Sequence, residues 1–353
     1  MNGEDSGRGI SAIDLFCGIG GLTHGMVLEG ISVVAGVDAD SSCKYAFEKN
    51  NAAKFIEKGV EDIKGEELSS LYPPGHTKVL VGCAPCQPFS KYTRSGAEDE
   101  KWKLLDQFSR LIGEVDPDVV SMENVPELAT GKRSDVFGRF VAFLEKDYRV
   151  SRSVVYCPDY GIPQSRRRLV LFASKYGKVE MVDKTYGKEE YRTVKQAIGH
   201  LPRIGAGEVD KNDPVHRACR LSKTNIERIR ASSEGGTWRD WDETLKLPCH
   251  RKVSGKTYPS IYGRMSWNEL SPTITTQAFG YGNGRFGHPE QDRAISLREA
   301  ALLQTFPSDY AFVDPGEKFF IKKTGRHIGN AVPVELGRMI GRSIVKHLEE
   351  TDG

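Results

Sequence analysis

The residue types best suited to chemistry cluster in the stretch 81–90, VGCAPCQPFS, where Cys86 sits between a proline and a glutamine just after the apolar run Val79-Leu80-Val81. Pro85 and Pro88 fix φ and remove donors, so the backbone must leave any sheet here. A thiol at this point stands at a strand's carboxyl end, where open α/β sheets place their chemistry. Cys86 therefore reads as a nucleophile that works as its thiolate. Other readings stay open. A buried structural thiol is one. Cys83 and Cys86 also have Cys-x-x-Cys redox spacing, but that motif opens a helix in a small domain, whereas Pro88 and a polar loop follow here. A metal site would want a second pair at ligand spacing, and Cys17, Cys43, Cys157, Cys219 and Cys249 are each solitary.

Two further groups belong to the same rim. Asp118–Met122 reads as a buried strand that delivers Glu123-Asn124-Val125-Pro126 to its carboxyl end. A carboxylate there suits a general acid that protonates a ring nitrogen as a thiolate attacks, although capping or solvated glutamates are common at strand ends. Gln164-Ser165-Arg166-Arg167-Arg168 packs three guanidiniums between strands. Alternation aims Arg166 and Arg168 one way, toward an anion or a carbonyl oxygen, and Arg167 the other. A plain basic surface cluster would look the same.

The elements that must position these groups begin with the strand 11–16, SAIDLF, which runs into the glycine turn 17–22, CGIGGL, and then a helix. Strand, glycine turn and helix let bare backbone approach a nucleotide at a helix N-terminus. The spacing departs from the dinucleotide fingerprint, which counts against NAD or FAD and leaves another nucleotide-like cofactor open. A second strand, 31–37, carries Asp38 at its end, about 20 residues after the turn, as a ribose diol acceptor. Asp40 is expected to cap the helix 41–50. Residues 60–63 are expected to end a third strand, with Asp62 facing an adenine amino group or lying in a surface turn. Residues 91–103 read as a loop, and 104–114 and 136–144 as amphipathic helices. Strands at 150–156 and 169–172 follow. Strands alternating with helices through about residue 172 give an α/β, doubly wound, mostly parallel sheet.

The chain has 353 residues, 38% hydrophobic and 28% charged, and is long for one domain. It shows no secretory signal pattern and no apolar run near the roughly 18 residues a membrane span needs. Seven cysteines over this length point to reduced thiols inside a cell. The first hundred residues are acid-rich, while 186–270 carry a basic excess that would suit a polyanion. From 184 the periodicity fades. The expected organisation is a catalytic and cofactor-binding domain at 1–185, a smaller irregular domain at 186–296, a hinge at 297–317, and a C-terminal segment at 318–353 returning to the first domain through a helix with a Gly-x-x-x-Gly face.

Six blocks in order, DLFCGIGG (14–21), GCAPCQPFS (82–90), Glu123-Asn124-Val125, QSRRR (164–168), SPTIT (271–275) and GNAVP (329–333), resemble the DNA (cytosine-5)-methyltransferases, in particular the bacterial single-subunit kind. The resemblance covers about residues 11–345 and lapses across 186–260, where this family's target-recognition region varies. It implies a Rossmann-like fold, S-adenosylmethionine as methyl donor and no metal. Asp14, Phe16, Gly18, Gly20, Asp38, Ala39, Asp62, Ile63, Pro85, Asn330 and Val332 would line the cofactor. Ala39 is small where the family usually packs a bulky side chain on adenine. Cys86 would add to C6 of a cytosine, Glu123 would hold N3, Arg168 would meet O2, and Arg166 would support the cysteine. The base must be flipped out of duplex DNA for this. Ser90, Lys91, Arg94, Gln164, Arg239, Arg251 and Lys252 are the expected DNA contacts, with Trp238 and Trp241 as further guesses. A cytoplasmic, nucleoid-associated monomer with a separate companion restriction endonuclease would fit. The rivals are a tRNA cytosine-5 methyltransferase, whose Cys-Phe-Thr tripeptide is absent, and a catalytically silent DNA-binding regulator. The turn 72–75, YPPG, is not the Asp/Asn-Pro-Pro-Tyr motif of amino-methyltransferases.

Overall fold

Short β-branched runs bracketed by Gly, Asp or Pro form strands, and apolar stretches at helical spacing form the helices between them. The computed structural model describes residues 9–84, 98–130, 134–252 and 260–352. In chain order the elements are β1 (Ile10–Leu15), α1 (Gly21–Leu28), β2 (Ser32–Asp38), α2 (Lys44–Asn50), β3 (Lys54–Glu57), α3 (Gly65–Ser69), β4 (Thr77–Gly82) and α4 (Glu98–Val115). Next come β5 (Val119–Asn124), α5 (Glu127–Thr130), α6 (Ser134–Leu144), β6 (Arg149–Tyr156), β7 (Gln164–Ser165) and β8 (Arg167–Ser174). The chain ends with α7 (Val194–Ile198), α8 (Lys223–Arg230), β9 (Ser271–Pro272), α9 (Leu297–Leu303), α10 (Ile321–Asn330) and α11 (Val334–Asp352).

Seven strands form one sheet in the order β3-β2-β1-β4-β5-β8-β6. β1 to β5 run parallel, and β8 is antiparallel to both β5 and β6. The order reverses between β1 and β4, and the crevice beyond the carboxyl ends of such a pair is where open α/β sheets bind ligands. On one face, Ile13, Leu15, Leu80, Val120 and Met122 share a core with Phe108, Leu111 and Ile112 of α4 and Phe137 and Phe140 of α6. The intervening Ala12, Val79, Val81 and Val119 are buried too. Burial on both faces explains why these strands read as unbroken apolar runs.

The chain divides into two compact units. The first comprises Met1–Tyr156, Arg167–Lys184 and Val334–Gly353, and the second Cys157–Arg166 and Thr185–Pro333. Thus α9 and α10, within the stretches expected as hinge and C-terminal segment, belong to the second unit, while α11 belongs to the first. There α11 lies against α1. A Cβ on Gly25 would sit 2.4 Å from backbone atoms of Val334 and Arg338, and one on Gly337 2.8 Å from the Leu22 carbonyl. Only glycine lets these two backbones approach so closely.

The second unit has little regular structure and is tied by buried polar networks. Arg293 is fully buried and grips both carboxylate oxygens of Glu299 at 2.7 Å, while Glu299 also accepts from the Ser296 N–H at the start of α9. Arg264 donates to the Ile229, Ser232, His288 and Gln291 carbonyls and to Asp292. Trp238, Trp241 and Tyr281 form a small core with Ile229. The two tryptophans are therefore interior, at 5% and 3% exposure, and not base contacts as expected.

Two element boundaries also differ from expectation. The third strand is 54–57, not a run ending at 63, because Val60 and Ile63 reach the core from a turn rather than from a pleated strand. α4 begins at Glu98, so the end of the polar stretch 91–103 is helical. Among the described residues no helix is long and apolar enough to cross a membrane.

Candidate active site

The turn after β1 is shaped by three left-handed residues, Phe16 (φ 59°), Gly18 (φ 50°) and Gly20 (φ 85°). A Cβ built on Gly18 would meet nothing within 4 Å, so its bare backbone faces open space. Asp38, ending β2, accepts from the Gly18 N–H at 2.8 Å through Oδ2 and from the Asp40 N–H at 2.9 Å through Oδ1. The acidic side chain thereby locks the glycine turn to the neighbouring strand. Asp40 caps the following turn by accepting from the Ser42 N–H.

Asp14 is 1% exposed and accepts from the Thr23 hydroxyl at 2.7 Å through Oδ2. Its Oδ1 is buried with no hydrogen-bond partner among the described residues. Burial pushes this carboxyl up to about 7; the Thr23 hydrogen bond opposes that, and the nearby Asp38 charge adds to it. A glycine turn facing open space, a locked acidic side chain and an orphaned buried oxygen at the switch point suit a nucleoside-bearing cofactor.

Three other residues were expected to line the cofactor. Ala39 is exposed, and Asp62 is exposed in a turn whose N–H bonds the Gly59 carbonyl. Ile63, at 1% exposure, is a core residue, so it offers a ligand no surface.

On the other side of the switch point, Gly82 of β4 pairs with Met122 of β5, so the next residues, Cys83 and Glu123, emerge side by side. Glu123 is 2% exposed. Its Oε2 accepts from the Cys83 thiol at 2.8 Å, and its Oε1 lies 2.9 Å from Arg168 Nε. The Arg168 contact is an ion pair without hydrogen-bond alignment, which leaves Oε1 able to accept from a further donor. Arg168 stands on β8, directly beside β5. Asn124 donates to the Ala84 carbonyl at 3.0 Å and accepts from the Val125 N–H, which fixes the direction in which the chain leaves β4. Pro85, Cys86, Ser90, Lys91 and Arg94 lie outside the described residues.

The remaining candidates belong to the second unit. Arg166 is buried between β7 and β8 and donates to the Ile274 carbonyl. Arg166 lies between the two strands in the chain; it is buried and Arg168 partly buried, while Arg167 between them is exposed, the alternation expected from the sequence. Gln164 is 0% exposed. Its amide donates to Leu303 and Gln304 and accepts from Ile274, which leaves nothing for DNA and makes it a bracket between β7, β9 and α9. Asn330 is exposed at the end of α10, and Val332 is buried. Arg239, Arg251 and Lys252 are exposed; Arg239 lies over the Trp238 ring and Arg251 bonds the Glu243 carbonyl.

Residues 10–346 match the family model of the C-5 cytosine-specific DNA methylases. The chain belongs to this family. It is 57% identical over 340 residues to the Type II methylase M.HgiDII of Herpetosiphon aurantiacus, covering 96% of each chain. It is 29% identical to the Type II methyltransferase M1.HphI of Haemophilus parahaemolyticus, covering 96% of this chain and 87% of the relative. A proposed DNA modification methyltransferase encoded in an E. coli prophage superposes with a TM-score of 0.72 at 23% identity, covering 96% of this chain and 99% of that one. The fold is that of the methyltransferases, and the chain is a DNA cytosine-5-methyltransferase of restriction-modification type.

Within this methylase, sequence reasoning missed three residues at the rim. Thr23 holds Asp14, Asn124 holds Ala84, and Cys83 is bonded to Glu123. Asn124 could have been found, since a short amide beside a strand-end carboxylate is a ready partner for the adjacent turn.

Proposed function

We propose that the methylase takes its methyl group from S-adenosylmethionine and delivers it to C5 of a flipped-out cytosine at a specific site in duplex DNA. The observation that carries this reading is Glu123, buried on the strand beside the one that leads into Cys86, with Arg168 at Oε1 and that oxygen still able to accept a hydrogen bond. When bound, S-adenosylmethionine supplies an electrophilic methyl group. The Gly18 backbone and the acidic side chains Asp14 and Asp38 would receive its nucleoside and methionine parts.

The chain's own residues then act on the base. The Cys86 thiolate adds its electron pair to C6, and the ring electrons move to C5 as the Glu123 carboxyl passes its proton to N3; that proton returns to Glu123 when the C6–S bond breaks. Arg168 keeps the carboxylate in place and would reach the base O2. Once C5 is substituted, its proton leaves to a base and the C6–S bond breaks, returning the thiolate. Arg166 is assigned a supporting role by the resemblance, as are Ser90, Lys91 and Arg94 on the DNA backbone and Asn330 and Val332 beside the cofactor. Arg239, Arg251 and Lys252 are retained as DNA contacts. The proposed setting is cytoplasmic, as a monomer, with a companion endonuclease as a separate protein.

Cys86→Ala should abolish methyl transfer from labelled S-adenosylmethionine to duplex DNA while leaving cofactor binding within a few-fold of wild type. DNA carrying 5-fluorocytosine should trap a covalent adduct through Cys86. Turnover by the alanine variant, or no adduct with the wild type, overturns the mechanism.

A further inference from the structure

Cys83 has no part in the reaction outlined above, yet its thiol is bonded to the carboxylate proposed to meet the base. The register of β4 and β5 places it there. Gly82 is level with Met122, and one step further along each parallel strand brings Cys83 Sγ to 2.8 Å from Glu123 Oε2. Glu123 can still turn about its last side-chain bond if only one oxygen is held. Arg168 Nε, 2.9 Å from Oε1, fixes one side alone. A donor at Oε2 fixes the other, and the plane of the carboxylate with it.

We propose that Cys83 is a positioning residue for methyl transfer: its thiol orients Glu123 so that Oε1 is presented to N3 of the target cytosine. The proposal rests on the reading of Glu123 given above. Cys83 must keep its proton to do this. Burial first, and then the Glu123 carboxylate, push its thiol well above the usual range, with the Asp14 carboxylate adding to the effect and Arg168 opposing it. The thiol is thus a donor, and it does not compete with Cys86 as a nucleophile. The next residue is held as well, because Asn124 Nδ2 grips the Ala84 carbonyl. Glu123 and the chain leading to Cys86 are therefore tied by two consecutive crosslinks between β4 and β5. A shift in one would be felt by the other.

The test is a double-mutant cycle read in single-turnover methyl transfer at saturating DNA and S-adenosylmethionine. Cys83→Ala should slow the wild-type background about tenfold, the effect of losing one hydrogen bond to a charged group, with both KM values unchanged. Cys83→Ser, which restores a donor, should recover most of that rate. In the much slower Glu123→Gln background, Cys83→Ala should have no further effect. Wild-type rates for Cys83→Ala, an equal loss in both backgrounds, a serine variant as slow as alanine, or a loss confined to KM would each overturn the role of Cys83. Normal turnover by Glu123→Gln would instead overturn the reading of Glu123, which separates the two failures. Because the serine variant keeps the size and polarity of the site, general misfolding would not reproduce the expected pattern.

Discussion

Replacing Asp14 by Asn should stabilise the chain, and by more as the pH rises. The carboxyl is 1% exposed, its Oδ1 has no hydrogen-bond partner among the described residues, and burial raises it from 3.8 to about 7. Below both values the group is protonated in the folded and unfolded chains alike and has no effect. Between them the unfolded chain ionises first, so stability falls as pH rises, and the fall is complete above the folded value. A shift of about three pK units corresponds to at most about 4 kcal/mol at pH 8, and about 1.7 kcal/mol is already lost at pH 5. Other groups titrate in the same range; His288, for example, is lowered to about 4 by burial and contributes with the opposite sign. The difference between the two proteins cancels them. Urea unfolding of wild type and Asp14→Asn, without cofactor, should show the stability gap widening by about 2.5 kcal/mol from pH 5 to pH 8. A gap independent of pH would refute the assignment of a buried, proton-bearing carboxyl to Asp14.

Gly18→Ala should lower stability by about 1–2 kcal/mol through the left-handed backbone alone, since a Cβ there meets nothing within 4 Å. The same methyl projects into the space assigned to the cofactor, so calorimetric titration should show weaker S-adenosylmethionine binding; unchanged affinity would place the cofactor elsewhere. Glu299→Ala leaves the fully buried Arg293 without its counter-charge. It should destabilise the second unit by about 3–5 kcal/mol, seen as lost hydrogen-exchange protection in α9, and a change near zero would mean that other partners neutralise Arg293.

The first unit was legible because its signals are local. β1, β2, β4 and β5 are apolar on both faces, and each ends at a residue that cannot continue a strand or that carries charge into the rim. The turn 16–20 announces itself by glycines that the structure uses at positive φ. The short β3 was misplaced because Lys54–Glu57 has only two apolar residues, while Val60 and Ile63 supply a stronger apolar signal from a turn. The second unit was opaque for a different reason. Its order comes from single arginines, Arg264 and Arg293, each satisfied by groups scattered along the chain, and such long-range saturation leaves no period to detect. Trp238 and Trp241 were misjudged on the same account, since an aromatic beside a charge looks alike whether it covers a small core or awaits a base.

The two carboxylates that flank the switch point are provisioned in opposite ways, and Cys83 shows why. Asp14, on β1, is supported by neutral donors, the Thr23 hydroxyl and backbone, and is raised to about 7. Glu123, two strands away, has a guanidinium at one oxygen and a thiol at the other. Cys83, which follows the strand between them, feels both carboxylates, and each adds to the effect of burial in holding its proton in place. A Cys-x-x-Cys pair needs a thiolate to act as a redox couple. Here one member is committed as a hydrogen-bond donor by its surroundings. The spacing that suggested redox chemistry in the sequence thus gives a protonated thiol at Cys83, in keeping with the proposal that assigns the attack to Cys86.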